Sequence, residues 1–178
     1  MANAQALLRA QLINFEVFDS SGKRRLGVAD IELPELKFLT AEISGAGVSG
    51  KLDFPTLGMT DSLELSLNWR SLNSDLIDFS MQKSTDLTLY GASQIYNHGE
   101  GKLGVEQIKI SFRGISKTTA LGNFKPAEGT ESKNTFEILY LKIDIGGKNV
   151  LELDKINMIM KINGTDYLAE TRKALGLN

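Results

Sequence analysis

The sequence of 178 residues has no cysteine, one histidine and one tryptophan. Because cysteine is absent, a disulfide framework, a thiolate nucleophile and a cysteine-ligated metal site are all excluded. The 20 Lys and Arg residues nearly balance the 22 Asp and Glu residues, and the formal net charge of -2 gives no overall attraction to nucleic acid or anionic membranes. This composition agrees with a protein that assembles in a reducing cytoplasm.

The sequence also lacks targeting and membrane-spanning features. Asn3, Gln5 and Arg9 interrupt the apolar residues of the N-terminus, which therefore lacks the long apolar run of a signal peptide. No later stretch is long and apolar enough to cross a bilayer. We expect one domain over residues 1–178, without membrane anchoring.

Residues that could carry chemistry are sparse. His98 lies in the run Asn97-His98-Gly99-Glu100, which is typical of a hairpin turn and makes it a poor catalytic base. Glycines at 99, 101 and 104 have the GxGxxG spacing, but they stand between two strand-like segments rather than between a strand and a helix. Two carboxylate pairs fall where such groups are usually solvated: Glu128 with Glu131, and Glu152 with Asp154. We expect no catalytic residue, no metal ligand and no cofactor.

Alternation of apolar and polar residues dominates the chain and predicts an antiparallel, all-β core. Residues 62–70 show it best, and two further segments repeat it. The apolar sets are Leu63, Leu65, Leu67 and Trp69; Ile13, Phe15 and Val17; and Ile108, Ile110 and Phe112. Turn signals separate these segments at residues 19–22, 98–101, 146–147 and 163–164.

Residues 135–145 carry apolar residues at both odd and even positions in their first half, so we expect that half to be covered on both faces, by a helix of the same subunit or by a neighbouring chain. Two short helices are predicted. The first covers residues 74–83, with Asn73 as its N-cap. The second covers residues 166–175, opened by Thr165, with Leu168 and Leu175 as its apolar anchors and Gly176 just past its end.

Residues 45–59 combine glycines and a proline with large apolar side chains and lack a clear periodic pattern. Long loops of this kind are uncommon in compact domains and often bind a partner. Either the segment folds over its own core, or its side chains stay exposed until another subunit covers them. The residues concerned are Gly45, Gly47, Val48, Gly50, Leu52, Phe54, Leu57 and Met59.

The C-terminal part holds a specific motif, an Ile-Asn-Met-Ile core followed by Asn-Gly and an Asp. Its residues are Ile156, Asn157, Met158, Ile159, Asn163, Gly164 and Asp166. Shorter matches precede it in order, among them Leu33-Pro34, Leu57-Gly58-Met59, Tyr90-Gly91-Ala92-Ser93 and Phe112-Arg113-Gly114. Together these motifs resemble the major tail tube protein family of contractile-tailed bacteriophages and R-type pyocin-like particles.

The resemblance implies a β-sandwich or barrel-like subunit with one flanking α-helix and a short C-terminal helix. Such subunits close into hexameric rings that pool strands around a lumen and stack into a tube, with residues 45–59 as the contact between rings. The implied partners are other copies of the chain, the sheath protein, a tape-measure protein, a baseplate or tube initiator and a tail terminator. Assembly in the bacterial cytoplasm and release within the virion or tail-like particle are also implied, with DNA in the lumen of a phage.

Two other functions stay open from the residues alone. The alternating strands would equally suit a monomeric β-sandwich binding module, for example for a carbohydrate, although Trp69 is predicted on an apolar face rather than exposed. A ring protein of the type six secretion apparatus is a further alternative. The sequence does not separate a DNA-carrying phage from a DNA-free bacteriocin-like particle.

Overall fold

The computed structural model describes residues 7–19, 22 and 25–177. Over these residues the chain forms twelve strands and two short helices, which confirms a mainly β subunit. The strands are β1 (Leu7–Phe18), β2 (Arg25–Leu26), β3 (Val28–Glu32), β4 (Phe38–Ile43), β5 (Leu52–Thr60), β6 (Glu64–Trp69), β7 (Ser84–Asn97), β8 (Lys102–Ala120), β9 (Ser132–Ile145), β10 (Lys148–Asp154), β11 (Ile159–Ile162) and β12 (Thr165–Asp166). The helices are α1 (Ser74–Asp78) and α2 (Ala169–Ala174).

Most strands belong to one antiparallel sheet, in the order β12-β11-β10-β9-β8-β7-β1-β2. Strand β9 is a branch point, because residues 132–137 pair with β6 whereas residues 140–145 pair with β10. Strand β3 continues the first branch by pairing with β6. Strands β4 and β5 form a separate two-stranded hairpin. The branching supports the sandwich-like arrangement implied by the resemblance.

One cluster of buried side chains forms the core, and aromatic rings contact one another within it. The ring of Phe136 lies 6.0 Å from that of Phe79 and 6.1 Å from that of Phe112, between centroids. Trp69 is only 2% exposed and donates a hydrogen bond of 2.8 Å from Nε1 to Oδ1 of Asn134, which satisfies its one polar group. Its burial confirms the predicted apolar face and removes it as a sugar-binding platform.

Bulges in β1 explain why the predicted face Ile13, Phe15 and Val17 is partly wrong. The register between β1 and β7 shifts between Arg9 and Gln11 and again between Leu12 and Asn14. Each extra residue changes which face the following side chains occupy. Val17 is therefore buried and Phe15 packs against the core, whereas Ile13 is exposed.

A bulge also accounts for the apolar residues at odd and even positions of β9. The register with β8 shifts between the pairs Arg113↔Tyr140 and Gly114↔Ile138, so Leu139 is the extra residue. Ile138 before the bulge and Leu141 after it both lie in the core. The assignment of Ile138 and Leu141 to opposite faces was wrong, because it assumed an unbroken period of two. Cover of the other face by a neighbouring chain stays a prediction.

Both predicted helices exist, and both are shorter than expected. Helix α1 begins after Asn73, whose side chain accepts a hydrogen bond from the Leu76 amide, and it ends at Asp78 rather than Lys83. Helix α2 starts at Ala169 because Thr165 and Asp166 form β12 instead. Leu168 is buried as predicted, but Leu175 is exposed and is not an anchor. Gly176 has a positive φ of 72° just past the helix, as expected.

The predicted turns at residues 98–101, 146–147 and 163–164 connect β7 to β8, β9 to β10 and β11 to β12. Residues 146, 147, 163 and 164 all have positive φ, which is typical of two-residue hairpin turns. At the fourth turn, the Gly22 amide donates to the Asp19 carbonyl over 2.9 Å, while residues 20 and 21 lie outside the described part of the chain.

Candidate assembly surfaces

The segment predicted as a loop at residues 45–59 is instead the tip and second strand of the β4–β5 hairpin. Leu52 pairs with Ile43 and Phe54 with Ala41. The glycines and Pro55 made this strand hard to predict from the sequence. Proline has no N–H to donate, so it fits a strand only where no neighbouring strand needs that hydrogen bond. Residues 44–51 form the tip, where Gly45, Gly47 and Gly50 all have positive φ.

Large apolar side chains on this hairpin are exposed in the isolated subunit. Phe54 is 55% exposed, and apolar residues of β4 and of the tip add to the same surface. The exposed set on the hairpin is Phe38, Leu39, Ile43, Val48, Leu52, Phe54, Leu57 and Met59. These side chains therefore do not fold into the subunit's own core, which was one of the two options left open by the sequence.

The base of the hairpin is fixed to the body of the subunit. Between the pairs Thr40↔Pro55 and Phe38↔Thr60 the register shifts widely, and residues 56–59 bulge out of β5. Gly58, in this bulge, has φ +66° and lies so close to Leu168 that an added Cβ would come within 2.6 Å of its side chain. The amide of Asp61 also donates to the Lys37 carbonyl over 2.8 Å. The hairpin is thus anchored at one end only.

An open apolar groove of about 500 Å³ lies between the hairpin and the C-terminal strands. Phe54 and Leu57 line one side, while Met160, Ile162 and Tyr167 line the other. The groove holds few polar atoms, so it suits apolar side chains better than a charged ligand.

The C-terminal motif residues hold this region together by local hydrogen bonds. The carboxylate of Asp154 accepts from the amides of Ile156 and Asn157 at 3.0 and 2.8 Å. Arg172 donates over 2.7 Å to the carbonyl of Met158, which has a positive φ of 51°, and over 2.6 Å to Asp166. Among the motif residues, Ile159 begins β11, Asn163 and Gly164 form the β11–β12 turn, and Ile156 is exposed. The hydrogen bond from Arg172 holds the pKa of Asp166 below its ordinary value.

A three-stranded extension of the main sheet forms a second candidate surface. We call it the tongue: residues 7–12 of β1, 93–97 of β7 and 102–106 of β8. It projects past the pair Ile108↔Ile145, where β9 ends. Leu103 and Val105 on the tongue are 69% and 64% exposed, and Leu7, Leu8 and Leu12 are exposed too. These residues were not predicted as a contact surface from the sequence, because alternation cannot tell a side chain covered by the same chain from one left open.

The tongue is braced across its middle strand by an ion pair. Arg9 Nε lies 2.7 Å from Glu106 Oε2, and Arg9 Nη2 donates to Oε1 over 3.1 Å. These hydrogen bonds lower the pKa of Glu106 despite the opposing effect of its desolvation. The pair joins β1 to β8 over β7, so the three strands are held as one unit.

The face of the main sheet opposite the core carries a polar ladder of neighbouring charges. Cross-strand pairs include Asp86 with Arg113 at 2.8 Å and Glu152 with Lys161 at 3.3 Å. Lys142 lies next to Glu152 in the strand register and 3.7 Å from Asp144. Burial, and after it the neighbouring Glu152, raise the pKa of Tyr140 on this face. Because the signs alternate, the ladder contains no continuous positive stripe.

The residues considered for chemistry are not brought together. His98 is exposed in the β7–β8 turn, where its ring lies 6.2 Å from that of Tyr96. The GxGxxG glycines lie in this antiparallel hairpin rather than before a helix, as expected. Glu128 and Glu131 are exposed in the β8–β9 loop, while Glu152 and Asp154 take part in the hydrogen bonds described above. Over residues 7–19, 22 and 25–177, no group of three acidic or histidine side chains could hold a metal ion.

Within the described residues, neither helix has the length and apolarity needed to cross a membrane.

Comparison with known proteins identifies relatives over almost the whole chain. Residues 9–176 match the family model of the phage tail tube protein FII. The chain is 32% identical over 159 residues to the tail tube protein of Escherichia phage P2, covering 85% of this chain and 88% of that relative.

Two solved structures are also similar, both from an extracellular contractile injection system, PVC, in its extended state. The sheath/tube terminator matches at 15% identity with a TM-score of 0.49, over 74% of this chain and 94% of that one. A chain of the sheath-tube complex matches at 14% identity with a TM-score of 0.42, over 74% of this chain and 86% of that one. The family model and the P2 relative confirm the resemblance found in the sequence, and the chain belongs to the phage tail tube protein FII family.

Proposed function

We propose that this structural tail tube protein works by self-assembly into hexameric rings, which stack into the inner tube of a contractile tail. The observation that carries the proposal is the exposed apolar surface on the β4–β5 hairpin, anchored to the body only at its base. Monomeric proteins rarely leave a contiguous apolar surface of this kind in water. A second copy of the chain supplies the cover in a closed ring or stacked tube.

The hairpin is proposed as the contact between rings. Its tip holds Gly45, Gly47, Val48 and Gly50 and is exposed, and a Cβ added at any of the three glycines would meet no atom within 4 Å. Leu52 and Phe54 extend the apolar surface toward the base. A projecting element that inserts into the next ring gives a head-to-tail contact, which continues without closing. Leu57 and Met59, in the bulge beside Leu168, would set the angle at which the hairpin leaves the body.

The polar ladder is proposed as the lining of the lumen. It is the wet face of the main sheet, so subunits that pool their strands could close this face around a channel. Its alternating charges suit transit of a nucleic acid or a protein, because clustered Lys and Arg would retain phosphates. The ion pairs Asp86–Arg113 and Glu152–Lys161 match two cations of the face, Arg113 and Lys161, with carboxylates of the same subunit.

The remaining assignments follow from the family. The proposed partners are the sheath protein, a tape-measure protein, a baseplate or tube initiator and a tail terminator, and DNA would occupy the lumen of a phage. The subunit would assemble in the bacterial cytoplasm as one domain, residues 1–178, and leave in the virion or tail-like particle. The proposed role is mechanical: the tube is driven into the target cell on sheath contraction, and the subunit has no catalytic function or cofactor.

Negative-stain microscopy and native mass measurement of the purified protein at high concentration, alone and coexpressed with its initiating partners, test this proposal. Rings of six subunits and stacked tubes are expected. Phe54→Asp should leave the subunit folded and the rings intact but prevent stacking. Asp53→Asn, on the neighbouring position of β5, is the matched control and should still give tubes. A wild-type protein that stays monomeric under both conditions would contradict the proposal, and tubes formed by Phe54→Asp would contradict the role of the hairpin.

A further inference from the structure

The two ends of the β4–β5 hairpin meet at the backbone of Asp61, directly after β5. The Asp61 amide donates to the carbonyl of Lys37, which precedes β4, over 2.8 Å. The Asp61 carbonyl in turn accepts from Nζ of Lys155 over 2.9 Å. Lys155 directly precedes the C-terminal motif, so one side chain connects the base of the hairpin to this part of the body.

The same ammonium group also binds strand β9. Lys155 Nζ lies 3.2 Å from Oε1 of Glu137. The carboxylate of Glu137 accepts further hydrogen bonds from the hydroxyl of Ser62 and from the amide of Leu63, the residues that follow the hairpin. Burial raises the pKa of Glu137, but the hydrogen bonds from Ser62, Lys155 and Leu63 together outweigh it and lower the pKa below its ordinary value. The carboxylate is therefore charged at neutral pH and holds the ammonium group in place.

The backbone around Lys155 is fixed before its side chain makes any contact. The Lys155 amide donates over 2.9 Å to the carbonyl of Leu139, the bulge residue of β9. The carboxylate of Asp154 accepts from the next two amides, as described above, and so holds the turn. Only the rotamer freedom of the lysine side chain is lost when it bridges Glu137 and the Asp61 carbonyl.

A cleft of about 230 Å³ separates much of the hairpin base from the C-terminal motif. Met59 and Thr60 line it on the hairpin side, and Met158 and Ile159 line it on the side of the motif. An element that meets the body across a cleft can tilt with little loss of packing, because few atoms are in contact there. The direction of the hairpin therefore depends on the discrete contacts beside the cleft, and the bridge through Lys155 is a polar one among them.

We propose that Lys155 is a positioning residue for assembly: its bridge from Glu137 to the Asp61 carbonyl fixes the direction in which the hairpin leaves the body. This role rests on the proposed tube function, in which the hairpin has to reach the next ring. Residues 38–43 of β4 extend about 17 Å from the base, so a tilt of about 15° would move Ile43 by about 4 Å. A shift of this size is enough to break apolar contacts with a neighbour, which require heavy atoms within about 4.5 Å.

An ion pair elsewhere in the body supplies a matched control. Lys117 on β8 pairs with Glu64 on β6. Both strands belong to the main body rather than to the hairpin, and no hydrogen bond or ion pair described for Lys117 involves a hairpin residue. Lys155→Met and Lys117→Met each keep an unbranched side chain and remove one ammonium group, so they differ in which element loses its contact.

Distance measurement by pulsed electron spin resonance on the unassembled subunit tests the direction of the hairpin. The chain has no native cysteine, so two spin labels can be placed at Asp53→Cys on β5 and Lys148→Cys at the start of β10, which are both exposed. We expect a narrow distribution of distances in this labelled background and with Lys117→Met. Lys155→Met should broaden the distribution or shift it by about 4 Å, the displacement expected for a tilted strand of this length. Lys155→Arg keeps the cation and should restore the narrow distribution.

Sedimentation of assembled tubes tests the consequence in the unlabelled protein. Lys155→Met should lower the fraction of protein in tubes by about tenfold, the size of effect expected when a partly buried charge-assisted hydrogen bond is lost. Lys117→Met and Lys155→Arg should assemble like the wild type. Denaturant unfolding of the unassembled subunit establishes that each variant is folded, and Lys155→Gln takes the place of Lys155→Met in both assays if the latter does not fold.

The outcomes separate the positioning role from the tube function. Wild-type distances in folded Lys155→Met overturn the positioning role and leave the tube function standing. Altered distances with normal tubes also overturn it, because assembly then does not depend on the direction of the hairpin. The same is true if Lys155→Arg behaves like Lys155→Met, or if Lys117→Met loses tubes equally. Absence of tubes in the wild-type protein rejects the proposed function, whereas the distance measurement still decides whether Lys155 fixes the hairpin.

Discussion

The body of the subunit buries its large apolar side chains, whereas its two projecting segments, the hairpin and the tongue, expose side chains of the same kind. In the body, Trp69 and Phe136 are enclosed by other side chains of the same chain. On the hairpin and the tongue, Phe54 and Leu103 are largely exposed. The core of the body is enclosed by its own chain, whereas the hairpin and the tongue leave apolar surface exposed, which the proposed assembly would cover. Stability should therefore depend on the first region and assembly on the second.

The largest expected effect comes from Phe136→Ala in the body. Phe136 is fully buried and contacts the rings of Phe79 and Phe112, so truncation should lower the free energy of unfolding by about 3–5 kcal/mol. Phe54→Ala is the matched control on the hairpin and should change it by less than about 1 kcal/mol. Denaturant unfolding of the unassembled subunit gives both values. Similar losses for the two variants would show that the hairpin belongs to the body after all.

This division could be predicted from the sequence only in part. The apolar face predicted for residues 62–70, with Leu63, Leu65 and Leu67, was correct, because an unbroken strand keeps its period of two. The faces of β1 and β9 were partly wrong, because a single extra residue at Ile13 or Leu139 reverses the assignment beyond it. Bulges depend on the partner strand, and nothing in the local pattern marks them.

The candidate surfaces were also only half predicted. From the glycines of the hairpin tip and the apolar residues of β5, residues 45–59 were predicted as a contact between subunits, but as a loop rather than as a strand. The tongue was not predicted. Leu103 and Val105 alternate as in any half-buried strand, although by the register of β8 they share the face of Arg113 rather than that of the core residue Phe112. Strand β9 ends at Ile145, so β8 extends beyond it. Strand length relative to the neighbour is a property of the fold, so it is not visible in β8 alone.

The junction between the two regions can be probed at Gly58. Gly58→Ala places a Cβ at positive φ and within 2.6 Å of the Leu168 side chain, so both strain and crowding should destabilise the subunit, by about 1–3 kcal/mol. Gly101→Ala is a close control, because its φ of +64° nearly equals the +66° of Gly58 and nothing lies within 4 Å. The difference between the two variants in denaturant unfolding isolates the contact with Leu168. Equal effects would mean that the hairpin base is not held by this contact.

A smaller effect is expected from the charge pair that ties α2 to β12. Arg172 lowers the pKa of Asp166 in the folded state, so the pair adds stability above the ordinary carboxyl value of 3.8 and loses it as pH falls through the lowered native pKa. Asp166→Asn should therefore destabilise the subunit near neutral pH and converge with the wild type in acid. Unfolding midpoints measured across this pH range test the sign. A gap that stays constant into acid would show that the charge of Asp166 is not responsible.

The smallest effect is expected at the ion pair between Lys51 and Glu42, which joins the two strands of the hairpin over 3.1 Å. Both side chains are largely exposed, so water and salt screen their attraction, and Lys51→Ala should change the free energy of global unfolding by less than about 0.5 kcal/mol. A segment anchored at one end can open locally before the body unfolds. The loss should thus appear as faster amide exchange in residues 40–43 and 52–54, with exchange in β6 and β9 unchanged. If exchange in the body rises equally, the hairpin and the core unfold together, and the contrast between them is one of exposure and not of stability.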